Sequence, residues 1–228
     1  MTPSELASLP RARAGADTAW SDDPTELLLW ALMATFERLA LERYLVHSPG
    51  LVTVDKRRFV ERLLALGADE SALGGSALAE PVKALLARAQ SADEVAVLMV
   101  QGLILEHLGQ AIYRIATATD SASASMRELA AAGLAASVSV TAAASARIAV
   151  RVGTGEPLYA VFVDHSHELI GALDALAEPV DQIFGERFGL RFADIMGEFV
   201  AELITACTAL GMQRRKAVAH LAGAAMGL

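Results

Sequence analysis

Apolar residues recur at three- and four-residue spacing along most of the chain, the pattern of helices with one buried face. The first run opens at Asp23-Pro24, an N-cap followed by proline at the first helical position, and reaches about residue 46. Ser48-Pro49-Gly50 stops it. A shorter helix is predicted over 54–66, closed by Gly67, and another over 81–89 after the Gly74-Gly75 loop. Ser91-Ala92-Asp93-Glu94 has the form of a capping box and opens a second long helix to about 116. A third is predicted over 122–152, ended by Gly153-Thr154-Gly155. A fourth runs from Glu156-Pro157 to Pro179, continuing as a turn to Gly185, and a last helix spans about 190–222 with a break at Gly211. No segment alternates as a half-buried strand would; residues 147–152 come nearest and continue a helical pattern.

The expected fold is therefore all-α: one domain over 24–228, a bundle of four to five long helices with short helices in the first connection. A mobile arm is expected at 1–23, where Pro3, Pro10 and Gly15 interrupt any periodicity. Aromatics make up only 5% of the 228 residues, so Ala, Leu and Val must build the core. A chain this long buries roughly 70% of its unfolded surface and needs no staples.

The net charge of −8 excludes nucleic acid as an expected partner, because phosphate binding needs a basic face. The basic runs Lys56-Arg57-Arg58 and Arg214-Arg215-Lys216 are short and read as helix-end or solvent-face charges. Cys207 stands alone in an apolar stretch, which fits a buried thiol and a reducing cytoplasm. Mean hydropathy of +0.41 raises the question of a membrane span. The longest uncharged stretch, residues 129–146, is rich in Ala and Ser and at the short limit for one. It reads better as a helix inside a bundle, so a soluble cytoplasmic protein with no membrane partner is expected. The last helix, apolar on one face, offers a homodimer contact.

Candidate chemistry lies in polar residues set into apolar helical faces, since no P-loop, Gly-x-Ser-x-Gly or His-Glu-x-x-His is present. Glu37 has Met33, Ala34, Ala40 and Leu41 as one-turn neighbours and is expected to point inward, whereas Glu42 and Arg38 suit an exposed ion pair. Glu106 stands between Gly102 and Gly109, which suggests close helix packing or room for a ligand, and His107 shares a face with Gln110. Asp164-His165-Ser166-His167-Glu168 places two histidines and two carboxylates within five residues, a composition that suits a divalent metal. Asp194, Glu198 and Glu202 form a stripe on the polar side of the last helix, and Glu128 reads as a helix-start charge.

Inward carboxylates on long helices, with a carboxylate-x-x-His pair on a late one, resemble the ferritin-like di-iron carboxylate proteins. The resemblance covers about residues 24–185 and matches Glu37, Glu106 and the pair Asp164 and His167 to that family's ligands. It departs at Gly109, where the second-helix histidine would stand. The resemblance implies a non-haem iron enzyme that oxidises a small, apolar organic substrate. Glu37, Glu106, Asp164, His165, His167 and Glu168 would be the metal ligands, and His165, Glu106 and His107 the catalytic groups. The alternatives are a metal-free bundle that binds an apolar molecule or a partner protein, and a metal-free enzyme with a buried histidine as general base.

Overall fold

The computed structural model of the chain describes residues 23–66, 70–90 and 93–225, so the expected N-terminal arm lies outside the described residues except for Asp23. Among the described residues there are eight helices of 11 residues or more and no strand. They are α1 (Pro24–His47), α2 (Val54–Ala65), α3 (Ala79–Ala89), α4 (Glu94–Ala118), α5 (Ala124–Arg151), α6 (Glu156–Leu173), α7 (Phe192–Ala209) and α8 (Arg214–Ala225). Short helical turns fill 174–188.

Local chemistry sets these boundaries. The Asp23 carboxylate accepts from the Thr25 N–H at 2.8 Å and Pro24 follows it. Thr53 caps α2 through the Lys56 N–H, and Ser123 caps α5 through the Met126 N–H. The cap of α4 is Asp93, which accepts from Ala96 N–H at 2.9 Å; Ser91 lies outside the described residues. The predicted last helix divides into α7 and α8 at Gly211, whose φ of +84° a side chain would strain. Gly211 packs against Gly155, and the Gly155 N–H donates to the Leu210 carbonyl.

The core of the molecule is the antiparallel hairpin of α4 and α5. Glycines allow its close approach: a Cβ on Gly102 would lie 2.9 Å from the Ala144 Cβ, and one on Gly133 would strike Phe59 and Tyr113. Gly102 thus serves helix packing and leaves no space for a ligand. Residues Val97–Leu105 of α4 are π-helical, which shifts the register of every side chain that follows. α2 lies against α5, α1 against α2 and the π segment, and α7 against the second half of α4. α6 does not return along α5 as an up-and-down bundle would require; it packs against α8, α3 and the π segment.

By length and composition, α4 and α5 would each be long and apolar enough to cross a membrane. Most of the apolar stretch of α4 is buried, but less than half of that of α5 is, so α5 is not the enclosed helix that its composition suggested. Its outer face presents Ala131, Ala135, Val138, Ala142 and Ala146.

One buried carboxylate organises the start of the hairpin. Glu26 is 1% exposed and accepts from both the N–H (3.0 Å) and the hydroxyl (2.9 Å) of Ser123. Glu26→Ala leaves those part-buried donors without their acceptor, and should cost about 1 kcal/mol. Thermal unfolding would then begin about 2–4 °C lower per kcal/mol in a chain of this size. An unchanged melting temperature would show that the contact does not hold α1 to α5.

Candidate functional site

Three elements converge on a buried charged cluster. Lys56 is the third residue of α2, and with Phe59, Val60 and Leu63 it occupies the i, i+3, i+4, i+7 positions of that helix's buried face. Its side chain is 1% exposed and its ammonium lies between two carboxylates, Glu37 of α1 and Glu106 of α4, the latter at 2.6 Å. The expectation that Lys56 is a solvent-face charge is thus corrected, while Arg57 and Arg58 remain partly or fully exposed.

Two tyrosines complete the cluster, and their placement is reciprocal. α1 carries Glu37 and, seven residues on, Tyr44; α4 carries Glu106 and, seven residues on, Tyr113. Seven residues are two helical turns, so each pair shares one face. Tyr44 OH donates to Glu106 Oε1 at 2.8 Å, and Tyr113 OH donates to Glu37 Oε1 at 2.7 Å. Each helix's tyrosine therefore satisfies the other helix's carboxylate. Phe59 seats Tyr113 edge-on at 5.5 Å.

The electrostatics follow from burial. Burial alone would push Lys56 down, but the carboxylates of Glu106 and Glu37 outweigh it and hold its pKa above that of an ordinary lysine. Glu37 is raised above the usual carboxylate range, by burial first and by Glu106, against the pull of Lys56 and Tyr113. Both tyrosines sit well above their usual value, because burial and the neighbouring carboxylates penalise the phenolate. Lys56 is accordingly a cation locked in place, and burial makes Glu37 easier to protonate than an ordinary glutamate.

The cluster forms the polar end of an apolar cavity of about 60 Å³. Leu29, Leu32, Met33 and Ala40 of α1, Leu108 and Gly109 of α4, and Ile195 of α7 line it. Glu37, Lys56, Gln101 and Glu106 supply its polar wall. Phe36, Leu105, Ile112 and Phe192, only partly buried, form its solvent side. Gly109 borders this space, and a Cβ there would meet Tyr113 and Met33 at ordinary contact distances.

The remaining candidates do not converge here. His107 is buried, but its Nδ1 pairs with the Leu103 carbonyl at 2.6 Å. Burial, opposed by that carbonyl, holds its pKa below the usual value. Gln110 donates to Thr141, so the two do not act together. Asp164, His165 and Glu168 line a separate polar pocket of about 280 Å³ with Arg88, Gln90 and Asp93. Asp164 and Glu168 are exposed and His165 is half-buried. His167 faces elsewhere, its ring 6.2 Å from that of His220. Ser166, fully buried, shares a 2.6 Å hydrogen bond with His220 Nε2, a contact that required knowing how α6 and α8 pack. Arg38 and Glu42 pair at 3.5 Å as expected, and the acidic stripe on α7 is mostly exposed, with Glu202 bound to Arg114. Burial pushes the Cys207 thiol up to about 12, which makes it inert.

The six expected metal ligands thus fall in three places, and the di-iron ligand set does not fit. Glu37 and Glu106 do meet, but the charge between them is the Lys56 ammonium, held where a cation bound by both carboxylates would sit. Among the described residues no group of three or more His, Cys, Asp or Glu side chains is arranged to hold a metal ion.

Lys56→Met strips two buried carboxylates of their cation and should lower stability by about 3–5 kcal/mol. Glu37 is then raised further, and a carboxyl whose folded pKa exceeds its unfolded value costs stability as pH rises through that window. Urea unfolding should therefore show a deficit that is smallest near the ordinary glutamate value of 4.5 and widens toward pH 8. A Glu37→Gln/Lys56→Met/Glu106→Gln variant should recover most of the loss. A pH-independent deficit would mean the carboxylates are not the source of the cost.

No protein-family model, curated protein or solved structure matches this chain, so the site is read from its own chemistry.

Proposed function

We propose that the protein is a metal-free helical bundle that holds a small, largely apolar molecule between α1, α4 and α7. The observation that carries this reading is an apolar cavity closed at one end by a buried Glu–Lys–Glu cluster. Apolar walls supply affinity, and a few fixed polar groups at one end orient the ligand. An engineered cavity of about 150 Å³ takes benzene, so a space of about 60 Å³ suits a narrow chain that extends toward the solvent side. The π segment supports the same reading, since π-helical turns concentrate at functional sites. Iron-dependent oxidation, implied by the ferritin-like resemblance, finds no support in this arrangement. The pocket at Asp164, His165 and Glu168 is polar and surface-exposed, which suits solvated charges better than an enclosed substrate.

The test is thermal unfolding with a panel of unbranched alkyl compounds of increasing chain length. A ligand at 100 times its Kd should add about 2.7 kcal/mol to the unfolding free energy. Ala40→Phe, which fills the space, should abolish that stabilisation while the variant itself still unfolds cooperatively. If no compound shifts the wild-type transition, the cavity is a packing defect and the reading fails.

A further inference from the structure

The polar end of the cavity carries more hydrogen-bond acceptors than donors, and this asymmetry identifies the kind of headgroup it takes. Gln101 lies within the π segment and is fully buried. Its Nε2 donates to the Ala89 carbonyl, which fixes the orientation of the amide, because a flipped amide would set two oxygens against each other. Its Oε1 is then a buried acceptor with no hydrogen-bond partner among the described residues, in a side chain that lines the cavity. An acceptor left in that state is destabilising, a cost that a ligand's donor would remove.

The neighbouring groups point the same way. The donors around the cluster are already engaged: Tyr44 on Glu106, Tyr113 on Glu37, and Lys56 on both. Two carboxylates face one ammonium, so the local charge does not favour an anion. A carboxylate ligand would have to enter beside Glu37 and Glu106 with no free cation to meet it.

We infer that the cavity selects a molecule whose polar end is a hydrogen-bond donor without negative charge, an alcohol or an amine, seated on Gln101 Oε1. Its hydrocarbon part lies among Leu29, Leu32, Met33 and Leu108, and carboxylates are excluded. This rests on the cavity being a ligand site, as proposed above.

The experiment compares four probes of similar size on the wild-type protein: hexan-1-ol, hexylamine, sodium hexanoate and methyl pentyl ether. The ether is an isomer of the alcohol that accepts hydrogen bonds but cannot donate them. Binding is followed by the Met33 methyl resonance in protein carrying ¹³C-methyl methionine, since Met33 lines the cavity. Hexan-1-ol and hexylamine should bind about tenfold or more tightly than the ether and hexanoate, the ratio set by one buried hydrogen bond. Gln101→Leu should bring hexan-1-ol down to the affinity of the ether, with the ether's own affinity unchanged or improved. If the ether or hexanoate binds the wild type as tightly as hexan-1-ol, the cavity is a ligand site but the headgroup assignment is wrong. If none of the four moves the Met33 methyl, both readings fall together.

Discussion

A lysine ammonium enclosed between two glutamates is the constraint on which the rest of this structure depends. Removing any one of these ions from water costs several kcal/mol, and only close mutual contact with full hydrogen bonding offsets that. Lys56 meets the requirement because Thr53 caps α2 three residues earlier and fixes the angle at which the side chain enters the core. Phe59 and Leu63 then press the same face of α2 inward. The carboxylates meet it through the crossed tyrosines, which link α1 to α4 in register: residue 37 faces 113 and residue 44 faces 106. Those pairs run in opposite directions along the two helices, so one arrangement of polar contacts sets both their polarity and their offset.

The cavity follows from the same constraint. Charged side chains and two phenol rings span the gap between α1 and α4, and apolar side chains line the remaining space without filling it. On the opposite side of α4, the approach of α5 at Gly102 and Gly133 leaves no comparable room. The cavity therefore opens toward α7, where Phe192 and Ile195 stand on the wall. The π segment sets the orientation of Gln101 and the phase of Glu106 relative to the first turns of α4, so the polar wall depends on a helical irregularity as well as on residue identity.

Much of the helical layout could be read from caps and breakers. Asp23-Pro24, Ser48-Pro49-Gly50 and Glu156-Pro157 mark the observed ends to within a residue or two, because these residues act through short-range hydrogen bonds and fixed dihedral angles. The inward direction of Glu37 and Glu106 was also legible, since their one-turn neighbours are apolar or glycine. Lys56 was misread because its neighbours Arg57 and Arg58 made it look like part of a solvated run. Its spacing to Phe59, Val60 and Leu63 held the correct signal, as did the repeated Glu-x6-Tyr on two helices. Asp164, His165, His167 and Glu168 failed as a group for a different reason. Local composition shows that metal-binding types are present, but not whether the helix turns them inward, and α6 leaves its carboxylates in solvent. Its packing against α8 instead of α5 is a tertiary choice with no local marker.

The central claim is that the space between Glu37 and Glu106 belongs to the Lys56 ammonium. It is tested most directly by a crystal structure of the protein equilibrated with ferrous iron under anaerobic conditions, with data collected on both sides of the iron absorption edge. The account predicts no anomalous peak between the two carboxylates, and a Lys56 Nζ that stays within hydrogen-bond distance of both. An iron peak at that position, with the Lys56 side chain displaced from between the glutamates, would contradict it.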